Sequence, residues 1–158
     1  MRYAVDNDFG GTKQNLSSSY KTMLSLTAAT GATTLRRAAI FEVECGAADV
    51  PNATDCPIIG KIDRQTDVGT ATALTAAPLD AGDAAALITE NANNTTEPTV
   101  TAATILLPWA LNQRAGFLWQ AAPGAELIVP ATNTAGLGIR AKSTNYASTY
   151  YAGCKFWE

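Results

Sequence analysis

Few side chains in this sequence have types and spacings that suit chemistry. Glu42 and Glu44 stand two apart, and Asp80 and Asp83 three apart. Paired carboxylates of this kind are what acid–base cleavage of a glycoside requires. Cys45, Cys56 and Cys154 supply thiols, and Ser17-Ser18-Ser19 supplies hydroxyls. Trp109, Trp119 and Trp157, with the Tyr150-Tyr151 pair, supply aromatic faces of the sort that hold sugars.

Each set also has a plainer role. The chain contains no His, so neither a hydroxyl nor a thiol has the base that nucleophilic catalysis ordinarily uses. The serine run lacks the GxSxG elbow and reads as a loop. Gly10-Gly11-Thr12-Lys13 lacks the spacing of a phosphate loop. Glu42 and Glu44 read as a solvated strand face answered by Lys or Arg on the next strand. Asp80 and Asp83 read as helix caps, and a Ca²⁺ site there has no EF-hand pattern behind it. At strand spacing, the large aromatics are core or subunit-contact residues before they are a sugar platform. The sequence therefore predicts no enzyme, no metal and no cofactor.

The three cysteines cannot all pair within the chain, and none has CxxC or CxxH spacing. A disulfide between Cys45 and Cys56 would staple the loop between them; two reduced thiols at strand ends fit equally well. Cys154 reads as a small core residue. Eleven Lys and Arg against fourteen Asp and Glu give a net charge of -3. The longest basic run is Arg36-Arg37, whose side chains point to opposite faces of a strand, so nucleic-acid binding has no electrostatic support. No apolar stretch approaches a membrane span, and the first residues lack the apolar segment of a secretion signal.

The elements that must position these residues are strands. About thirty of the apolar residues are Ala, which buries little surface, so Leu, Ile, Val, Phe, Trp and Tyr must form the core. Residues 104–130 hold the densest set, three alternating runs broken by Asn112-Gln113-Arg114 and Pro123-Gly124. They read as a strand meander, with Pro108 at an edge or bulge. Arg114, at a hairpin-like tip, either caps turn carbonyls or anchors a subunit contact.

Further alternation marks strands at 2–5, 20–27, 36–45, 58–64, 98–102, 136–141 and 147–157. In 36–45, Ile40, Glu42 and Glu44 should face one way and Phe41, Val43 and Cys45 the other. Residues 66–75 and 91–97 read as loops, and 78–90 as the one short helix. The sum is a single all-β domain over residues 1–158, an antiparallel two-sheet sandwich of jelly-roll type with one short helix. An immunoglobulin-like sandwich is the alternative, and residues 1–15 are a candidate arm.

The order Pro78-Leu79-Asp80 with Asp83-Ala84-Ala85, Glu97-Pro98-Thr99, Ala110-Leu111-Asn112-Gln113-Arg114-Ala115, Trp119, Pro123-Gly124 and Gly136-Leu137-Gly138-Ile139 carries a resemblance. Over its second half the chain resembles small jelly-roll virion proteins of tailed phages, similar to the decoration, or cement, proteins of capsids. The Cys45–Cys56 loop is outside that pattern. The resemblance implies a homotrimer attached to the phage major capsid protein on the capsid exterior. From strand spacing and position, Trp109, Arg114, Phe117, Trp119, Tyr150 and Trp157 are the candidate core or oligomer contacts. A carbohydrate- or receptor-binding module, and a head–tail connector or tail component, are the other functions such a scaffold suits.

Overall fold

A computed structural model describes residues 1–8, 13–28, 35–50 and 52–158. The expected glycine turn at Gly10-Gly11-Thr12 and most of the small-residue loop at 28–34 lie outside these residues. Thirteen strands follow in chain order. They are β1 (Arg2–Asp6), β2 (Gln14–Asn15), β3 (Lys21–Thr27), β4 (Ala38–Ala47), β5 (Pro57–Gln65), β6 (Thr70–Ala73) and β7 (Ala77–Pro78). Then come β8 (Thr89–Thr96), β9 (Val100–Asn112), β10 (Phe117–Gln120), β11 (Leu127–Val129), β12 (Gly136–Lys142) and β13 (Thr149–Trp157).

They form two sheets. The seven-stranded sheet runs β10-β4-β13-β1-β7, with β11 also on β4 and β2 also on β13; the six-stranded sheet runs β6-β8-β3-β12-β5-β9. All strand pairings are antiparallel. One core lies between the sheets. The seven-stranded sheet gives it Tyr3, Ile40, Val43, Tyr150, Cys154 and Phe156, and the six-stranded sheet gives it Leu24, Leu26, Ile58, Ile62, Leu137 and Ile139. Burying these branched and aromatic side chains is the main force holding the sheets together.

Several expectations are corrected by the pairing. No helix occurs among the described residues. Ala77–Pro78 pairs with β1, and the chain then turns at Asp80, whose carboxylate accepts from the Gly82 amide at 2.9 Å. In the strap 79–88 that follows, backbone donors reach outward: Leu79 N–H to Arg2 O, and Leu87 N–H to the Glu158 carboxylate. Among the strap's last residues only Ala86 and Ile88 reach the core, so it lacks the apolar stripe that stabilises a surface helix.

The meander is also corrected. β9 pairs with β5 in one sheet, whereas β10 and β11 both pair with β4 in the other. Residues 113–116 therefore carry the chain across the sandwich, and 121–126 is an excursion between two parts of one strand line along β4.

Within β4 a bulge opposite Lys155 and Phe156 makes Phe41 the extra residue. It returns Ile40 to the same inner face as Val43 and Cys45, against the simple alternation expected there. Residues 70–73 and 91–96, expected as loops, lie in β6 and β8, and β8 also takes residues 89–90 from the expected helix. Their polar side chains hid the pairing, because Asn94 spends its amide on the Val68 carbonyl at 2.9 Å instead of on solvent.

Pro108 lies in an edge strand, as its missing amide requires. Arg2–Asp6, at the start of the expected arm, lies inside the seven-stranded sheet between β13 and β7. Among the described residues no helix is long and apolar enough to cross a membrane.

Candidate functional site

The candidate chemistry resolves largely into structure. Cys45, Cys56 and Cys154 are free and buried. The Cys45–Cys56 disulfide is absent because each thiol sits in its own packing environment. Cys56 Sγ donates to Thr54 O at 3.3 Å, whereas Cys45 faces the core opposite Ala152. Burial pushes the Cys45 and Cys154 thiols well above their ordinary range.

Glu42 is held by Lys155 across the strand pair and by Gln120 at 2.8 Å, and these bonds keep its carboxyl below the usual range. Glu44 accepts from Tyr151 Oη at 2.7 Å. The two carboxylates are thus separately satisfied by neighbouring strands. Asp80 and Asp83 belong to one turn, with the Asp83 amide on Asp80 O at 2.9 Å.

Among the aromatic candidates, Trp109 is buried and stacked on Phe117 at a centroid distance of 4.6 Å. Its Nε1–H points at Tyr150 Oη, 3.5 Å away. Tyr150 is fully buried, and Trp119 packs against the core from β10. Arg114 clamps the loop before β5, its guanidinium donating to Asn52 O at 2.7 Å and pairing with Asp55 at 3.1 Å. Beside it, Gln113 accepts from the Cys56 amide and donates to Thr54 O. These five residues are joined to the fold.

Trp157 differs: it is 46% exposed. It ends β13 opposite Arg2 and lines a cleft of about 660 Å³ with Met1, Arg2, Leu79, Asp80, Ala81 and Asp83. A smaller hollow beside it is lined by Met1, Tyr3, Arg36, Ala84, Ala85, Leu87 and Glu158. The strap 79–88 forms the wall shared by both. It is pinned to the sheet by Leu79 N–H on Arg2 O at 2.8 Å, by Tyr3 Oη on Ala84 O at 3.0 Å and by Leu87 N–H on Glu158 Oε2 at 2.9 Å.

Met1, Leu79, Leu87 and Trp157 are four of the eight large apolar side chains exposed among the described residues, and they share this one end. Single exposed apolar residues are normal; a contiguous set rimmed by charge marks a contact surface. Here the rim is Arg2, Arg36, Asp80, Asp83 and Glu158.

Below this face lies a residue that sequence reasoning missed. Glu90, in β8, points inward and is nearly buried, with one carboxylate oxygen unpartnered. Loss of hydration raises its pKa to about 7, and the Glu158 charge adds to the rise. Its position at the end of an apparent helix concealed it.

A second missed group lies on the outer face of the six-stranded sheet. Arg140 pairs there with Asp63 at 3.3 Å and Glu97 at 3.6 Å, and Lys61 pairs with Asp63 at 2.6 Å. Its members come from β5, β12 and the residue after β8, so no local spacing announces it.

The fold and cleft together define a two-sheet β-sandwich with one charge-rimmed apolar end. Comparisons with family models, curated proteins and solved structures gave no match.

Proposed function

We propose that this chain is a non-enzymatic virion protein, a jelly-roll that self-associates as a trimer and decorates the exterior of a tailed-phage capsid. The observation that carries the docking role is the clustering of Met1, Leu79, Leu87 and Trp157 around one cleft. The jelly-roll reading is supported by the strand orders β1-β13-β4-β10 and β3-β12-β5-β9. These orders match two four-stranded jelly-roll sheets, with β6, β7 and β8 inserted between the fourth and fifth strands of the series, β5 and β9. The virion setting is supported by the sequence resemblance described above. Many copies making modest apolar contacts on a repeating lattice would gain their hold through multivalency.

Sedimentation analysis of the purified chain, followed by counting its copies on particles, tests this reading. A trimer that Leu87→Asp or Trp157→Asp converts to folded monomers, with copy numbers that match capsomer symmetry, is expected. Particles carrying six or twelve copies would point to a connector instead and reject decoration.

A second reading is favoured by one observation: Trp157 offers its indole beside Asp80, Asp83 and Arg2, an aromatic face with hydrogen-bonding groups around it. Such a site suits a glycan. Saturable tryptophan quenching by sugars, lost in Trp157→Ala, would select this reading.

A further inference from the structure

Four of the eleven cationic side chains, Lys21, Lys61, Arg140 and Lys142, gather around Tyr20 and Thr22. Strand pairing puts them there. Arg140 lies directly opposite Lys61 across β12 and β5, and Lys142 follows two residues along the same face of β12. Like charges placed opposite each other on neighbouring strands repel, so this arrangement works against the fold unless something offsets it.

The available carboxylates offset only half of it. Asp63 serves both Lys61 and Arg140, and Glu97 serves both Arg140 and Lys21. Glu97 also accepts the Thr22 amide at 2.8 Å and the Thr22 hydroxyl at 2.6 Å, both at Oε2. No carboxylate pairs with Lys142 among the described residues. Its ammonium instead stands 4.8 Å from the Tyr20 ring centroid, with the Lys61 ammonium 4.5 Å from the same centroid.

Four cations against two carboxylates leave a local excess of two positive charges on a chain whose net charge is -3. Two of the four are poorly hydrated: the Lys61 side chain is 15% exposed and that of Arg140 8%. Cations brought together and partly stripped of water are what an oxyanion site consists of.

We propose that the Tyr20 cluster binds a phosphate group, with Lys142 and Lys61 as its principal contacts and Arg140 and Lys21 setting the surrounding potential. The Tyr20 ring holds both ammoniums in place by cation–π attraction, so the site is formed before the ligand arrives. It is separate from the Trp157 cleft. Lys142 is joined by the short segment 143–148 to the start of β13, whereas Trp157 stands at that strand's other end, about 25 Å away at strand rise. The proposal does not depend on the decoration reading.

Calorimetric titration of the whole chain with inorganic phosphate and with glucose 6-phosphate, each against sodium chloride of matched ionic strength, tests it. Saturable one-to-one binding is expected, weakened at least tenfold by Lys142→Gln and kept by Lys142→Arg. Arg114→Gln, an equal charge change at a distant loop, should leave it unaltered. Tighter binding of glucose 6-phosphate would identify an esterified phosphate as the ligand, and equal binding would identify free phosphate; both support the site. Heats no greater than those of chloride would overturn it. So would undiminished binding by Lys142→Gln, or equal weakening by Arg114→Gln.

Discussion

The indole of Trp109 lies flat over Gly60 on the neighbouring strand. A Cβ built on Gly60 would stand 2.0 Å from Trp109 Cε2 and 2.2 Å from Cζ2. The two residues are direct partners between β5 and β9, and the missing side chain is what lets the indole turn inward to stack on Phe117. Gly60→Ala must therefore displace the ring, and the indole cannot move without breaking that stack. Denaturant unfolding should show a loss of about 3 kcal/mol, at the upper end for overpacking. Tryptophan emission should shift to the red as Trp109 meets water. An unchanged midpoint would mean the ring has room to move that the packing does not suggest.

Glu90 gives stability a pH dependence of defined sign. Its folded pKa of about 7 lies above the ordinary 4.5 of an unfolded Glu, so the native state holds its proton longer. Below pH 4.5 both states are protonated and no penalty exists. As pH rises towards 7 the unfolded state alone ionises, stability falls, and above 7 the penalty is complete. Its size is on the order of 2 kcal/mol once partial solvent access is allowed for. Glu42, whose pKa is lowered, acts in the opposite direction and below pH 4.5, so the two windows are distinct. Glu90→Gln should raise the melting temperature at pH 8 and flatten the decline between pH 5 and 7. A variant that retains the wild-type slope would show that another group is responsible.

Asn7 replaces a stretch of ladder where β1 ends. Its side chain is fully buried, donating to Tyr150 O at 2.9 Å and accepting from the Ala152 amide at 2.9 Å. Replacement by Leu removes both bonds and takes from the buried Ala152 amide its acceptor. Asn7→Leu should cost about 3 kcal/mol, more than Asn7→Asp, which keeps the acceptor for Ala152. Thermal unfolding of the pair checks the order.

The thiols should be silent in the folded protein. Cys45, Cys56 and Cys154 are free and buried, and burial of Cys45 and Cys154 disfavours their reactive thiolates. Ellman's reagent should detect almost none of the three in buffer and all three in guanidinium chloride. Dithiothreitol should leave the melting temperature unchanged, whereas a fall on reduction would reveal a disulfide.

Strand periodicity was legible wherever one face is apolar, as in β5, where Ile58 and Ile62 are buried and Ile59 is exposed. It failed in two situations. In β8 the strand is held by pairing on both sides while six of its eight residues are Asn or Thr, so its composition imitates a loop. In β4 an extra residue at Phe41 resets the alternation, and a bulge has no signature in spacing alone. The cleft was half legible. Trp157 was a candidate contact residue from the start, but its partners Leu79, Asp80 and Asp83 come from a segment whose Pro, Asp and Ala pattern imitates a helix start. Pairing with β1 is what overrides that local preference. The Tyr20 cluster was illegible, since four cations scattered over 122 positions meet only when β3, β12 and β5 align.

The edge position of β9 has a wider consequence. The other sheet margins are short: β10 and β6 have four residues and β7 has two, whereas β9 has thirteen. A long open margin invites a strand from another molecule, the first step towards fibrils. Pro108 removes an amide from the middle of that margin, and Ala103 at φ 58 bends the backbone near its start. Together they interrupt the template and leave no long flat run. That margin is therefore a poor template for strand addition by a second copy, although Ile105 on it is exposed.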